Sequence, residues 1–308
     1  VVEASTVTAS ASMASVLTAP AVTQSPWAWH PHTLAWVAIL ATVLAWRWLP
    51  RHFASWCPTA PRLVTRRQVG GFSAGIVLLA IALTWPVADV ANRSLLFHMV
   101  QQTLLLLAIP PLLMLGTPRW LIEVITRPRL VDAVSRFLAR PLVSTVIFNS
   151  LVVVSFTTPV VNASARSDLA HAALNVTLLL TGAVMWLPAL RILPGVGHLG
   201  RTGRAAYLIV QAVVPSFASL VFIFARHPLY EVFRHRSLGL DPLIDQQLAG
   251  AFAKVVGLIV LTGAAWAMMA RSTQLEQADV DPDPLMWDDV ERELRRLERR
   301  PKRDDPAA

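Results

Sequence analysis

One cysteine, two lysines and few charges of either sign are what this sequence has least of. Cys57 stands alone among 308 residues. A single thiol excludes an intramolecular disulfide and the paired thiolates of CxxC or CxxxC metal carriers, so soft-metal chemistry would fall to His and Met. Charged residues make up 15% of the chain, where a soluble domain carries about a quarter. With 55% hydrophobic residues and a mean hydropathy of +0.52, the chain needs lipid rather than water as its solvent. No Walker loop, dinucleotide fingerprint, HExxH pair or GxSxG elbow occurs. The sequence therefore reads as a non-enzyme.

What is present is a series of apolar runs. A bilayer core about 30 Å thick takes about 20 helical residues to cross. Seven stretches qualify: Thr33–Leu49, Val69–Ala91, Leu95–Gly116, Pro141–Val161, Leu169–Leu190, Arg204–Phe224 and Gln246–Ala270. Trp27, Trp29, Trp46 and Trp48 flank the first as interfacial anchors. These runs predict an all-α, polytopic membrane bundle of about seven transmembrane helices. Residues 29–271 form that bundle, residues 1–28 a poorly ordered outer leader rich in Ser, Thr and Ala, and residues 272–308 a charged cytoplasmic tail. In the tail, Val290, Leu294 and Leu297 recur at helical spacing. A short amphipathic helix and a solvated charged tail both fit that spacing.

A net charge of +8 would suit nucleic acid, but the basic residues sit in short loops between apolar runs. No nucleic-acid partner is expected; membrane topology explains them. Segments 50–68, 117–140, 191–204 and 271–308 together hold 20 Arg and Lys, against 5 in the alternate connections. Positive-inside then puts the N-terminus outside and the tail in the cytoplasm, which predicts a multi-pass protein of the cell inner (plasma) membrane.

With that topology, most of the ionisable chemistry falls at the outer end. His30, His32, His98, His171, His227 and His235 lie there, as do Asp89, Asp168, Asp241 and Asp245. His98, Gln101 and Gln102 share one helix face by their i, i+3, i+4 spacing, and His171 with Asn175 does the same on another span. The last span opens Asp245-Gln246-Gln247. Imidazole and thioether suit copper, and carboxylate adds harder character. His98, Met99, His171 and Asp245 are thus a candidate metal set. His30, His32, His227 and His235 are outer donors, and Gln101, Gln102, Asn175, Gln246 and Gln247 are polar support. The competing reading is that the same groups are hydrogen-bonding glue between helices. Lys254, about 13 Å along the last predicted span, belongs to an ion or proton pathway or to a local ion pair.

One stretch of the third span carries a resemblance. Leu96-Phe97-His98-Met99-Val100-Gln101, running on to Ala108-Ile109-Pro110-Pro111-Leu112-Leu113-Met114-Leu115-Gly116-Thr117-Pro118, resembles the polytopic CtaG-like assembly factors of bacterial cytochrome c oxidase. His171 followed by Met185-Trp186-Leu187-Pro188 is similar too. So is Pro228-Leu229-Tyr230 leading to Asp245-Gln246-Gln247-Leu248-Ala249-Gly250. The resemblance covers roughly residues 30 to 270. It implies a partner in the catalytic subunit of the oxidase and copper, held transiently, as cargo delivered from the outer side. His98, Met99, Gln101, His171, Asp245, Gln246 and Gln247 carry over. The family often has histidine where this chain has Gln102 and Asn175. The alternatives are a copper or proton permease and a non-catalytic structural subunit of a respiratory complex.

Overall fold

The structure is a computed structural model that describes residues 32–53, 64–193, 199–234 and 238–277. The described residues are helical, with no strand among them. In chain order the helices are α1 (Thr33–Phe53), α2 (Arg66–Leu83), α3 (Val87–Ala91), α4 (Leu95–Thr103) and, after one π turn, α5 (Ile109–Gly116). Then come α6 (Arg119–Ile125), α7 (Arg129–Leu138), α8 (Pro141–Ser155) and α9 (Thr158–Arg166). The last are α10 (Asp168–Leu190), α11 (Arg201–Phe224), α12 (Glu231–Arg234) and α13 (Pro242–Gln277). Six are long and apolar enough to cross a membrane, counting Leu95–Gly116 as one, and α7 with α8 makes a seventh if that bent pair is one span. The chain is a multi-pass membrane protein.

Proline sets where the predicted spans break. The second was expected to run from Val69 to Ala91, but α2 stops at Leu83 and α3 begins at Val87. Pro86 has no N–H to continue the ladder and disfavours helical backbone at Trp85. Likewise the fourth was expected to reach Val161. Instead α8 ends at Ser155, and Pro159 sits in the first turn of α9, where a missing N–H costs nothing. In the third span Pro110 and Pro111 strip donors from the carbonyls one turn back. The backbone answers with a π turn over Leu104–Ala108, in which Ile109 N–H donates to the Leu104 carbonyl.

The third span and α10 form the centre. A Cβ on Gly182 of α10 would collide with the Leu106 carbonyl and stand 2.8 Å from Pro110 Cγ, so glycine alone lets the two backbones meet at the π turn. Leu105, Ile109, Phe148, Leu178, Met185 and Leu208 are all buried in this main core. A second core lies toward one end of the bundle, where Leu95, Met99, Val161, Phe222, Tyr230, Phe233 and Ala249 pack together. By contrast α1 is peripheral, with Ile39 its one buried residue.

Candidate functional site

Polar side chains of four elements meet around the start of α4. Ser94, in extended backbone, caps this helix through its hydroxyl, which accepts from Phe97 N–H. Asp245 approaches the same helix end from α13. Its first turn is fixed by Asp241, whose carboxylate accepts from Leu243 N–H at 2.8 Å and Ile244 N–H at 3.3 Å. The Asp245 carboxylate accepts from the Ser94 hydroxyl at 2.7 Å, from Leu95 N–H at 2.7 Å and from Leu96 N–H at 3.4 Å. A buried carboxylate is thereby satisfied by two otherwise unpaired amides and the positive end of a helix dipole. Its neighbour Gln246 ties down the loop that precedes α13: its Oε1 accepts from Leu229 N–H at 2.7 Å, and its Nε2 donates to the Phe222 carbonyl at 3.4 Å.

One turn deeper the histidines appear. His98 is buried, and the Gln102 amide donates to its Nε2 at 2.9 Å, which puts the ring proton on Nδ1. Gln101, with no exposed surface, donates to the Ala82 carbonyl at 2.8 Å and reaches His171 Nε2 at 3.4 Å. It thus joins α4 to the end of α2 and to α10. Nδ1 of His171 is buried with no hydrogen-bond partner, as are Oε1 of Gln101 and Oε1 of Gln102. His171 lies within electrostatic reach of His98, His32 and Asp168. His32, just before α1, donates its Nε2–H to the carboxylate of Asp89 in α3 at 3.1 Å. Three imidazoles, two amides and a carboxylate therefore form a polar layer across one end of the bundle.

The predicted site residues fall into distinct environments. His98, His171, Gln101 and Gln102 come together, with His32 nearby. Met99 points into the second core beside Tyr230 and Phe233. Asp245 serves the helix cap. Among the described residues no three His, Cys, Asp or Glu side chains stand close enough together to hold a metal ion. Asn175 is buried, Gln247 half-buried and His227 exposed; His30 and His235 lie outside the described residues, as does the tail with Val290, Leu294 and Leu297. Lys254 lines a cavity of about 50 Å³ with Gln102, Thr103, Ser216 and Ser219, at mid-depth between α4, α8, α11 and α13. That is room for one or two waters.

Sequence reasoning missed Ser94, and it named Tyr230 only within the Pro228-Leu229-Tyr230 stretch, without a role. Ser94 was findable as a helix cap standing directly before an apolar run. The Tyr230 hydroxyl donates to the Phe156 carbonyl at 2.6 Å, and its ring meets Phe222 and Phe233 edge-on at 5.9 and 6.3 Å. Burial pushes its phenol above the ordinary value. A loop tyrosine with no helical period around it gives no sign of that packing.

A family model described as cytochrome c oxidase caa3 assembly factor matches residues 42–274, well over half of the chain. The match includes every residue of the polar layer except His32. Comparison with curated proteins and with solved structures gave no match.

Proposed function

The chain belongs to the cytochrome c oxidase caa3 assembly factors, and from that premise we propose that it holds copper transiently and delivers it to the catalytic subunit of the oxidase. The observation that carries this reading is the pair His98, buried, and His171, half-buried, which lie in electrostatic reach of each other and each meet a glutamine amide. Copper is the cargo. His171 Nδ1 is buried with no hydrogen-bond partner, and it offers a lone pair once the ring proton moves to Nε2 and the 3.4 Å contact from the Gln101 amide is given up. His98 offers Nε2 only after the Gln102 amide swings away, because an imidazole nitrogen has a single lone pair. Two imidazoles fit copper(I), and displacing a weak amide hydrogen bond suits a site that must release as well as bind.

The arginine-rich loops face the cytoplasm of the cell inner membrane in this proposal, so the histidine layer opens on the outer side. Copper(I) titration of the purified protein tests the site. The wild type is expected to bind at least tenfold more tightly than a His98→Ala/His171→Ala variant, and equal affinities would remove it. In cells, deletion is expected to leave oxidase protein present but short of copper. Normal copper occupancy would end the delivery proposal.

One observation favours a second reading, a copper or proton permease. Gln102 touches His98 on one side and the Lys254 cavity on the other, which carries polar groups from the layer toward mid-membrane. Copper uptake into proteoliposomes, abolished by His98→Ala, would establish it; no uptake would leave delivery.

A further inference from the structure

The short helix α7 was read from sequence as part of a cytoplasmic loop, yet it is a complete amphipathic element. Leu130, Val134, Phe137 and Leu138 fall on one face at helical spacing, and Arg129, Asp132 and Arg136 on the other. None of its ten residues is buried. Leu130, Val134 and Phe137 are 76%, 49% and 51% exposed, so the described protein leaves most of this apolar face uncovered, with only Leu138 half-buried.

Its orientation says what covers that face. The axis of α7 turns 76° from that of α8 across the break at Ala139 and Arg140. α8, at 15 residues, qualifies as a span only together with α7, and with α8 along the bilayer normal, as the sequence predicts, the turn lays α7 close to the membrane plane. Three charged residues in ten keep it out of the hydrocarbon itself. It lies at the arginine-rich end: Arg119, at the start of α6, donates to the Arg191 carbonyl at 3.1 Å, which joins two of the basic loops. Between residues 127 and 140 four arginines stand against one aspartate. Asp132 is already taken by Arg136 at 2.8 Å, and Arg140 lies 5.6 Å over the Phe137 ring, poised at the boundary between apolar and polar faces.

We infer that α7 is an in-plane membrane helix that seats Leu130, Val134 and Phe137 in the acyl-chain boundary and binds anionic phospholipid headgroups through Arg129, Arg136 and Arg140. An apolar face rimmed by arginines matches such a lipid in both its parts.

Two measurements on the full chain test this. In a Cys57→Ser background, nitroxides are placed at Val134→Cys and Asp132→Cys in reconstituted vesicles. The label at 134 is expected to be relaxed by oxygen and protected from an aqueous nickel complex, and the label at 132 the reverse. Equal aqueous exposure at both, or shielding of 134 from both reagents by protein, overturns the inference. Separately, native mass spectrometry of protein released from phosphatidylcholine vesicles containing phosphatidylglycerol counts retained lipid. At least twofold enrichment of phosphatidylglycerol over its bulk share is expected, lost in Arg129→Gln/Arg136→Gln/Arg140→Gln. No enrichment, or enrichment unchanged by the triple variant, overturns the headgroup assignment.

Discussion

Asp245→Asn separates two roles open to one carboxylate, helix cap and metal ligand. In the structure this side chain accepts two bonds of 2.7 Å and one of 3.4 Å, from the Ser94 hydroxyl and the first amides of α4. Asparagine keeps one oxygen. Its NH2 group then faces the Leu95 N–H, donor against donor, and the favourable charge at the helix end is gone. Losing one charge-assisted bond and stranding a buried donor costs about 2–4 kcal/mol. For a domain of this size that is a fall in melting temperature of about 5–12 °C. Thermal unfolding of the detergent-purified variant, followed by intrinsic tryptophan fluorescence, reads the shift. Copper(I) affinity, measured well below the transition, is expected to stay within threefold of wild type. A melting point unchanged within 1 °C or so, together with lost copper binding, would refute the capping role and make Asp245 a ligand.

Other substitutions probe the rest of the layer and the core beneath it. Gln102→His places a second imidazole against His98 and is expected to raise copper(I) affinity at least tenfold in the same titration; no change would mean that His98 is not a ligand. Gly182→Leu forces α10 off the π turn. It is expected to destabilise by about 3 kcal/mol or more, measured by denaturation in mixed micelles, because neither the Leu106 carbonyl nor Pro110 can yield. Tyr230→Phe loses the bond to Phe156 and is expected to cost about 1 kcal/mol. Tyr230 also predicts a pH effect. Its folded pKa is raised above the ordinary 10.0, so above that pH the unfolded chain releases a proton that the fold retains. Stability should fall as pH rises past 10.0, with a shallower fall in Tyr230→Phe, and equal slopes would exclude Tyr230 as the source.

Much of this was legible before any coordinates. Long apolar runs have one physical solution in lipid, so six spans were plain, while the fourth predicted run breaks after Ser155 and qualifies only together with α7. The i, i+3, i+4 spacing of His98, Gln101 and Gln102 did bring those groups to one region. The pairings were not legible. Gln101 and Gln102 sit on one face yet serve different partners, His171 and His98, because neighbouring helices approach that face from two sides. Asp245 read as a ligand because a carboxylate beside glutamines near histidines looks like chemistry; only the position of the α4 amides shows its structural work. The α7 pattern was present at Leu130, Val134 and Phe137. Ten residues dense in charge are too short to span, so hydropathy alone leaves them in a loop.

The bond between Asp245 and Leu95 joins residues 150 positions apart, nearly half the length of the chain. During synthesis the third hydrophobic segment enters the bilayer long before the last one has left the ribosome. Its opening amides and Ser94 wait unanswered until then. The imidazole pocket accordingly closes only as the final segment arrives, so that a nascent or truncated chain has the histidines but not the vessel.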